Sequence, residues 1–155
     1  DSFFSKYKLI NENKLVSNYK NFHAIIGVGQ IKSNLHRKNI FKLIKKKKFK
    51  VASIYSKKAY ISKTSKINKG TIIMHNSFIG PNSFIGENCI INTGAIIEHD
   101  VKIGDHCHIS TGCKINGNVN ISNDCFIGSG TIIKEGVKIK PGRIIPMGSV
   151  LKKDV

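Results

Sequence analysis

From Ile61 to Leu151 an aliphatic side chain recurs at every sixth residue: Ile61, Ile67, Ile73, Ile79, Ile85, Ile91, Ile97, Ile103, Ile109, Ile115, Ile121, Ile127, Ile133, Ile139, Ile145 and Leu151. A helix would repeat apolar residues three and four apart, and a half-buried strand two apart, so period six fits neither. It fits short strands joined by turns, each sending one large side chain into a narrow core. Four residues after each isoleucine stands a second inward position, filled by Ser65, Thr71, Ser77, Ser83, Cys89, Ala95, Val101, Cys107, Cys113, Val119, Cys125, Thr131, Val137, Arg143 and Ser149. All but Arg143 are small or valine, as a tight corner demands. Gly80, Gly86, Asn92, Gly104, Asn116 and Gly128 follow their isoleucines directly and are expected to supply permissive backbone angles at the turns. Three strands close a triangular coil of 18 residues, so the span predicts five coils of a parallel β-helix, roughly 24 Å long at the usual strand spacing. Each coil buries its isoleucines only against its neighbours, so the stack must fold as a unit.

Ahead of the repeat the pattern changes. Residues 22–28 read as a buried strand ending in a glycine turn. Residues 31–48 place Ile31, Leu35, Phe41 and Ile44 at near-helical spacing among lysines, and residues 50–55 read as a second strand. Strand, helix, strand is the building block of an α/β nucleotide-binding module of Rossmann type. Gly27-Val28-Gly29 is only part of the glycine fingerprint that marks a phosphate loop. The expected division is a partial α/β module over residues 1–57 and the β-helix over 58–155.

Charge narrows the partners. Residues 1–60 hold 15 Lys and Arg against 2 acids, within a net charge of +17 for the chain. Basic segments attract nucleic acid, membrane surfaces or small anions, but few aromatics interleave with these lysines, which disfavours a nucleic-acid binder. No window offers the roughly 18 apolar residues of a membrane span. The start at Asp1-Ser2-Phe3-Phe4 has neither the basic start nor the apolar core of a signal peptide. Cys89, Cys107, Cys113 and Cys125 share one phase of the repeat, which makes them core fillers rather than zinc ligands or disulfide partners. A reduced, cytoplasmic setting follows as the expectation.

The Ile-Gly repeats at Ile79-Gly80, Ile85-Gly86, Ile103-Gly104 and Ile127-Gly128, with Ile91-Asn92-Thr93-Gly94-Ala95-Ile96-Ile97-Glu98-His99-Asp100 and Ile103-Gly104-Asp105-His106-Cys107-His108-Ile109-Ser110, resemble one group of hexapeptide-repeat acetyltransferases. This group is the family of sialic acid O-acetyltransferases and bacterial UDP-4-amino-sugar N-acetyltransferases. The resemblance extends over about residues 20–155. It implies a left-handed β-helix, a homotrimer, acetyl-CoA as co-substrate, no metal, and a sugar or nucleotide-sugar acceptor in surface-glycan synthesis. It implies further that His99 is the general base with Asp100 as its acidic partner, that His108, Ser129 and Met147 lie along the acyl-CoA site, and that Gly27 and Asp1 belong to the sugar pocket. The family carries a first strand and glycine-rich loop ahead of Asp1, and more tail beyond Val155. Its acidic partner is often Glu, one methylene longer than Asp100.

The residues suit that chemistry. Acyl transfer from a thioester needs an acceptor that loses its proton as it attacks, and an imidazole works near neutral pH. A neighbouring carboxylate fixes the tautomer. His99 lies two residues past an inward isoleucine, where it can face outward, and Gly117 stands one coil above it with no side chain to block a substrate. Asp100 suits a turn almost as well, and packing at a corner is the lesser alternative for His108. Asn92, which could line the site, suits a turn better still. The buried cysteines argue for direct transfer without an acyl-enzyme. A non-catalytic β-helix scaffold with a degenerate sugar pocket is the competing expectation. A three-histidine metal hydratase lacks convergent histidines.

Overall fold

The computed structural model describes residues 23–31 and 33–155. From Ile54 to Leu151 the chain is a parallel β-solenoid of about five turns, built from strands of two residues each. Its first face stacks Tyr60–Ile61, Phe78–Ile79, Ile96–Ile97, Lys114–Ile115, Ile132–Ile133 and Val150–Leu151. The second stacks Lys66–Ile67, Phe84–Ile85, Lys102–Ile103, Asn120–Ile121 and Lys138–Ile139. The third stacks Ile54–Tyr55, Ile72–Ile73, Ile90–Ile91, His108–Ile109, Phe126–Ile127 and Ile144–Ile145. Every pairing joins residues 18 apart, as at Ile97↔Ile115 and Ile103↔Ile121.

The predicted core is the observed one. Inward isoleucines from Ile73 to Ile139 are at most 1% exposed, and Cys89, Ala95, Val101, Cys107, Cys113, Val119 and Cys125 fill the corners between them at 0%. Arg143, the exception to the small inward residues, stands exposed.

The turn residues sit elsewhere than the sequence suggests. Positive φ occurs three residues after each inward isoleucine, at fourteen successive corners from Gly70 to Gly148, seven of them Gly and the rest Asn76, Asn82, Asn88, Asp100, His106, Asn118 and Asp124. Asn and Asp tolerate this left-handed conformation because their short side chains bond locally. Gly80, Gly86, Gly104 and Gly128 do not need positive φ; a Cβ on each would strike the coil above, as at Gly80, where Glu98 C lies 2.7 Å away. Close approach of stacked coils, rather than backbone freedom, is what makes them glycine.

Ahead of the solenoid, the described residues contain one helix and one two-stranded parallel sheet. Strand His23–Ala24 pairs with Lys50–Val51, and the helix between them spans Leu35–Lys46. It starts four residues later than its apolar pattern suggests, where Ser33 Oγ accepts from Leu35 N–H at 3.2 Å. Lys45 and Lys46 close its last turn, at the negative end of the helix dipole. The expected strand at 50–55 splits in two: Lys50–Val51 stays in the small sheet and Ile54–Tyr55 opens the solenoid's third face.

Ile26, Phe41 and Ile44 form a small core of their own. Arg37, 1% exposed, fastens this unit to the solenoid: its guanidinium donates to Ile26 O at 2.8 Å, Val28 O at 2.7 Å and Gly70 O at 3.2 Å. Lys38 pairs with Asp124 at 2.7 Å, and the Phe41 ring meets His106 edge-on with centroids 5.6 Å apart.

Candidate active site

Between the first and second faces the chain turns through three-residue corners stacked one per coil: Gly80-Pro81-Asn82, then Glu98-His99-Asp100, then Asn116-Gly117-Asn118. The solenoid fixes the middle corner from both sides, since Asp100 N–H donates to Pro81 O and Asn118 N–H to His99 O, each at 3.0 Å. His99 and Asp100 are more than half exposed, and His99 Nδ1 lies 2.8 Å from Asp100 Oδ2. The bond to His99 holds the Asp100 carboxyl below its ordinary range, against a smaller opposing effect of desolvation, and a hydrogen bond from Asn82 helps. An ionised carboxylate only accepts, so in the neutral ring Nδ1 carries the hydrogen and Nε2 keeps its lone pair. The ring lies against Gly117: a Cβ there would sit 2.6 Å from His99 Nε2. The space the sequence reserves for a substrate is used by the imidazole itself.

A second group lies across the first face, at the corner joining the third face to the first. Asn92, Ser129 and Met147 all belong to this corner, and Met147 is 79% exposed. Ser129 Oγ is 3.0 Å from Ser110 Oγ, and Gly148 N–H donates to Ser129 O at 2.8 Å. Asn92 Nδ2 reaches His108 Nε2 at 3.2 Å.

His108 points outward from the third face but is buried beneath the N-terminal segment, with Nδ1 2.6 Å from Gln30 O. A carbonyl accepts, so Nδ1–H donates and Nε2 receives the Asn92 amide. Burial holds His108 below the usual histidine range, opposed by the Gln30 hydrogen bond. Both ring nitrogens are therefore engaged within the chain.

The structure thus brings His99 to Asp100, and Asn92 to His108 and the Ser129–Met147 corner, but leaves the two groups on different edges of one prism. Gly27 is exposed, with open space where a Cβ would stand. Asp1 lies outside the described residues. Gln30, His106 and Arg37 drew no functional or structural reading from the sequence. Their partners lie 9 to 78 residues away, as with Gln30 Nε2 donating to His106 O at 2.9 Å, and no local pattern signals them. Among the described residues no group of three or more His, Cys, Asp or Glu is placed to hold a metal ion, and no helix is long and apolar enough to cross a membrane.

The GMPPB C-terminal domain family matches residues 55–154. Among solved structures, the acetyltransferase domain of PglB from Neisseria gonorrhoeae is 25% identical with a TM-score of 0.85, over 93% of this chain and 68% of that one. WeeI from Acinetobacter baumannii is 26% identical with a TM-score of 0.80, over 86% of this chain and 64% of that one. A variant of the perosamine N-acetyltransferase from Caulobacter crescentus, solved with CoA and GDP-perosamine, shares the fold at 23% identity and a TM-score of 0.83, over 90% of this chain and 66% of that one. This chain therefore spans about two thirds of the length of the structures it matches. No curated protein sequence matches it significantly.

Proposed function

The chain belongs to the GMPPB C-terminal domain family, and from that premise we propose that it is an acetyl-CoA-dependent acetyltransferase acting on an amine or hydroxyl of a sugar, with His99 as general base. The observation that carries this reading is the His99–Asp100 bond of 2.8 Å on a solvent-facing corner of a solenoid shared with acetyltransferases. CoA and GDP-perosamine in the Caulobacter relative, and acetyl-CoA in the PglB domain, favour a thioester donor and a nucleotide-linked amino-sugar over free sialic acid.

In the proposed reaction His99 Nε2 takes the proton of the acceptor amine or hydroxyl as that atom attacks the thioester carbonyl. Asp100 steadies the imidazolium so formed. The tetrahedral intermediate expels the CoA thiolate, which recovers the proton. No acyl-enzyme forms, in keeping with the four buried cysteines. His108, Ser129 and Met147 line the acyl-CoA path along the other edge, and Asn92 beside them contacts the acceptor. A homotrimer of left-handed β-helices brings one copy's His99 edge against its neighbour's Met147 edge. That arrangement accounts for the separation of the two groups within one chain. The module over residues 1–57, a partial Rossmann-like unit, holds the sugar through Gly27 and Asp1, and the setting is cytoplasmic.

The test is thiol release from acetyl-CoA with a GDP- or UDP-linked 4-amino-sugar and, separately, free sialic acid. Release that falls about 10²- to 10⁴-fold in His99→Ala supports the reading. Full activity in that variant removes His99 from the mechanism, and absence of CoA binding leaves the solenoid a scaffold.

A further inference from the structure

The column that carries His99 runs through Lys63, Pro81, His99, Gly117 and Glu135, one residue per coil. Four of these five bear side chains, and Gly117 has no positive φ, so neither the corner nor the backbone demands glycine there. Gly80 and Gly128 would drive a Cβ into main chain. Gly117 differs: the three atoms nearest to its missing Cβ all belong to His99, Cε1 and Nε2 at 2.6 Å and Cδ2 at 3.2 Å. One coil below, Asn82 sits under Asp100 in the same left-handed conformation and helps hold the Asp100 carboxyl below its ordinary range. The pair thus has Gly117 leaving room for the ring on one side and Asn82 stacked under the carboxylate on the other.

Resting on the role proposed for His99, we infer that Gly117 and Asn82 are positioning residues, fixing the ring plane and the carboxylate so that Nε2 is presented at one angle to the acceptor. A methyl group at 117 would push the imidazole aside by about 1 Å to regain ordinary contact distance. Because the ring is 59% exposed, it yields toward solvent while the fold stands. Displacement of a reacting group by 1 Å can cost about 100-fold in rate.

The experiment uses the full chain and reads the His99 tautomer by long-range ¹H–¹⁵N NMR of the imidazoles, a signal that needs no substrate. The variants are Gly117→Ala, Asn82→Gly (glycine being the commonest residue at these left-handed corners) and, as a control in the His99 column, Glu135→Ala. The expected result is a folded protein in all three. The fraction of Nδ1–H tautomer at His99 falls in the first two and holds in the third. In the thiol-release assay the first two lower kcat about tenfold to 100-fold, with KM for acetyl-CoA within twofold. An unchanged tautomer ratio in Gly117→Ala overturns the inference, as does a Gly117→Ala chain that cannot fold, which would mean the backbone needs the space. A wild-type protein that releases no thiol would sink the acetyltransferase reading, and the tautomer ratios would still decide the positioning.

Discussion

Replacing Gly80 by alanine separates two physical reasons for glycine in this solenoid. Gly80 is buried, and its Cβ would lie 2.7 Å from Glu98 C, 2.8 Å from His99 N and 3.0 Å from Glu98 O. Non-bonded carbons rest at about 3.5–4.0 Å, so the overlap is roughly 0.8 Å, and against main chain that cannot rotate away. Relief requires the coil to lift, straining the bonds from Gly80 N–H to Ile97 O at 2.7 Å and from Asp100 N–H to Pro81 O at 3.0 Å. Weakening two hydrogen bonds at about 1 kcal/mol each, with about 1–3 kcal/mol for overpacking, predicts a loss of roughly 3–5 kcal/mol. Gly94 is the counterpart: φ is +66° and nothing lies within 4 Å of a Cβ. Gly94→Ala should cost about 1–2 kcal/mol for the left-handed backbone, and Gly94→Asn close to nothing, since Asn76, Asn82, Asn88 and Asn118 hold the same conformation. Urea unfolding followed by circular dichroism at constant slope gives the three values. If Gly80→Ala costs no more than Gly94→Ala, close coil approach is the wrong explanation.

Three further outcomes follow from the buried polar groups. Burial holds His106 and His108 below the usual histidine range. The unfolded chain therefore binds more protons, and stability should fall as pH drops through about 6.5. Thermal midpoints that stay level from pH 7.5 to 5.5 would contradict this. His106→Asn, suited to the same left-handed corner, should flatten part of the slope. Arg37→Ala orphans the carbonyls of Ile26, Val28 and Gly70 and should cost about 3 kcal/mol or more, with amide exchange rising in the helix Leu35–Lys46 before the solenoid. Native protein should resist iodoacetamide at all four cysteines until denaturant opens the stack, because each thiol is 0% exposed and burial raises that of Cys113; fast labelling of Cys107 would mean the column breathes.

The solenoid was legible because its information is local and repeated. Period six names the inward isoleucines, and the phase of Cys89, Cys107, Cys113 and Cys125 places them in the core without any knowledge of contacts. Which corner residue takes positive φ was harder. Gly80 stands one residue past its isoleucine and Gly94 three, but the repeat alone does not say which phase bends the chain and which yields room to the neighbouring coil. The His99–Asp100 bond joins adjacent residues and could be anticipated. The bond from His108 to Gln30 O, spanning 78 residues, could not. The apolar spacing of residues 31–48 overstated the helix because Ile31 belongs to the loop before it, and nothing local sets Arg37, the buried fastener between two units, apart from the lysines around it.

The unbroken phase of sixteen inward positions from Ile61 to Leu151 also constrains how such a chain can change in length. Paired strand positions stand 18 apart, so one residue inserted within a strand would move the later isoleucines off their inward positions and put residues such as Lys102, Lys114 and Lys138 there instead. A single insertion between Phe84 and Ile85 would break the register of the chain beyond it, while a loop bulging from a corner leaves the count intact. Length can therefore vary by whole coils or by excursions at corners, and His99 and Met147 keep their edges only while the number of residues between them stays constant in that sense.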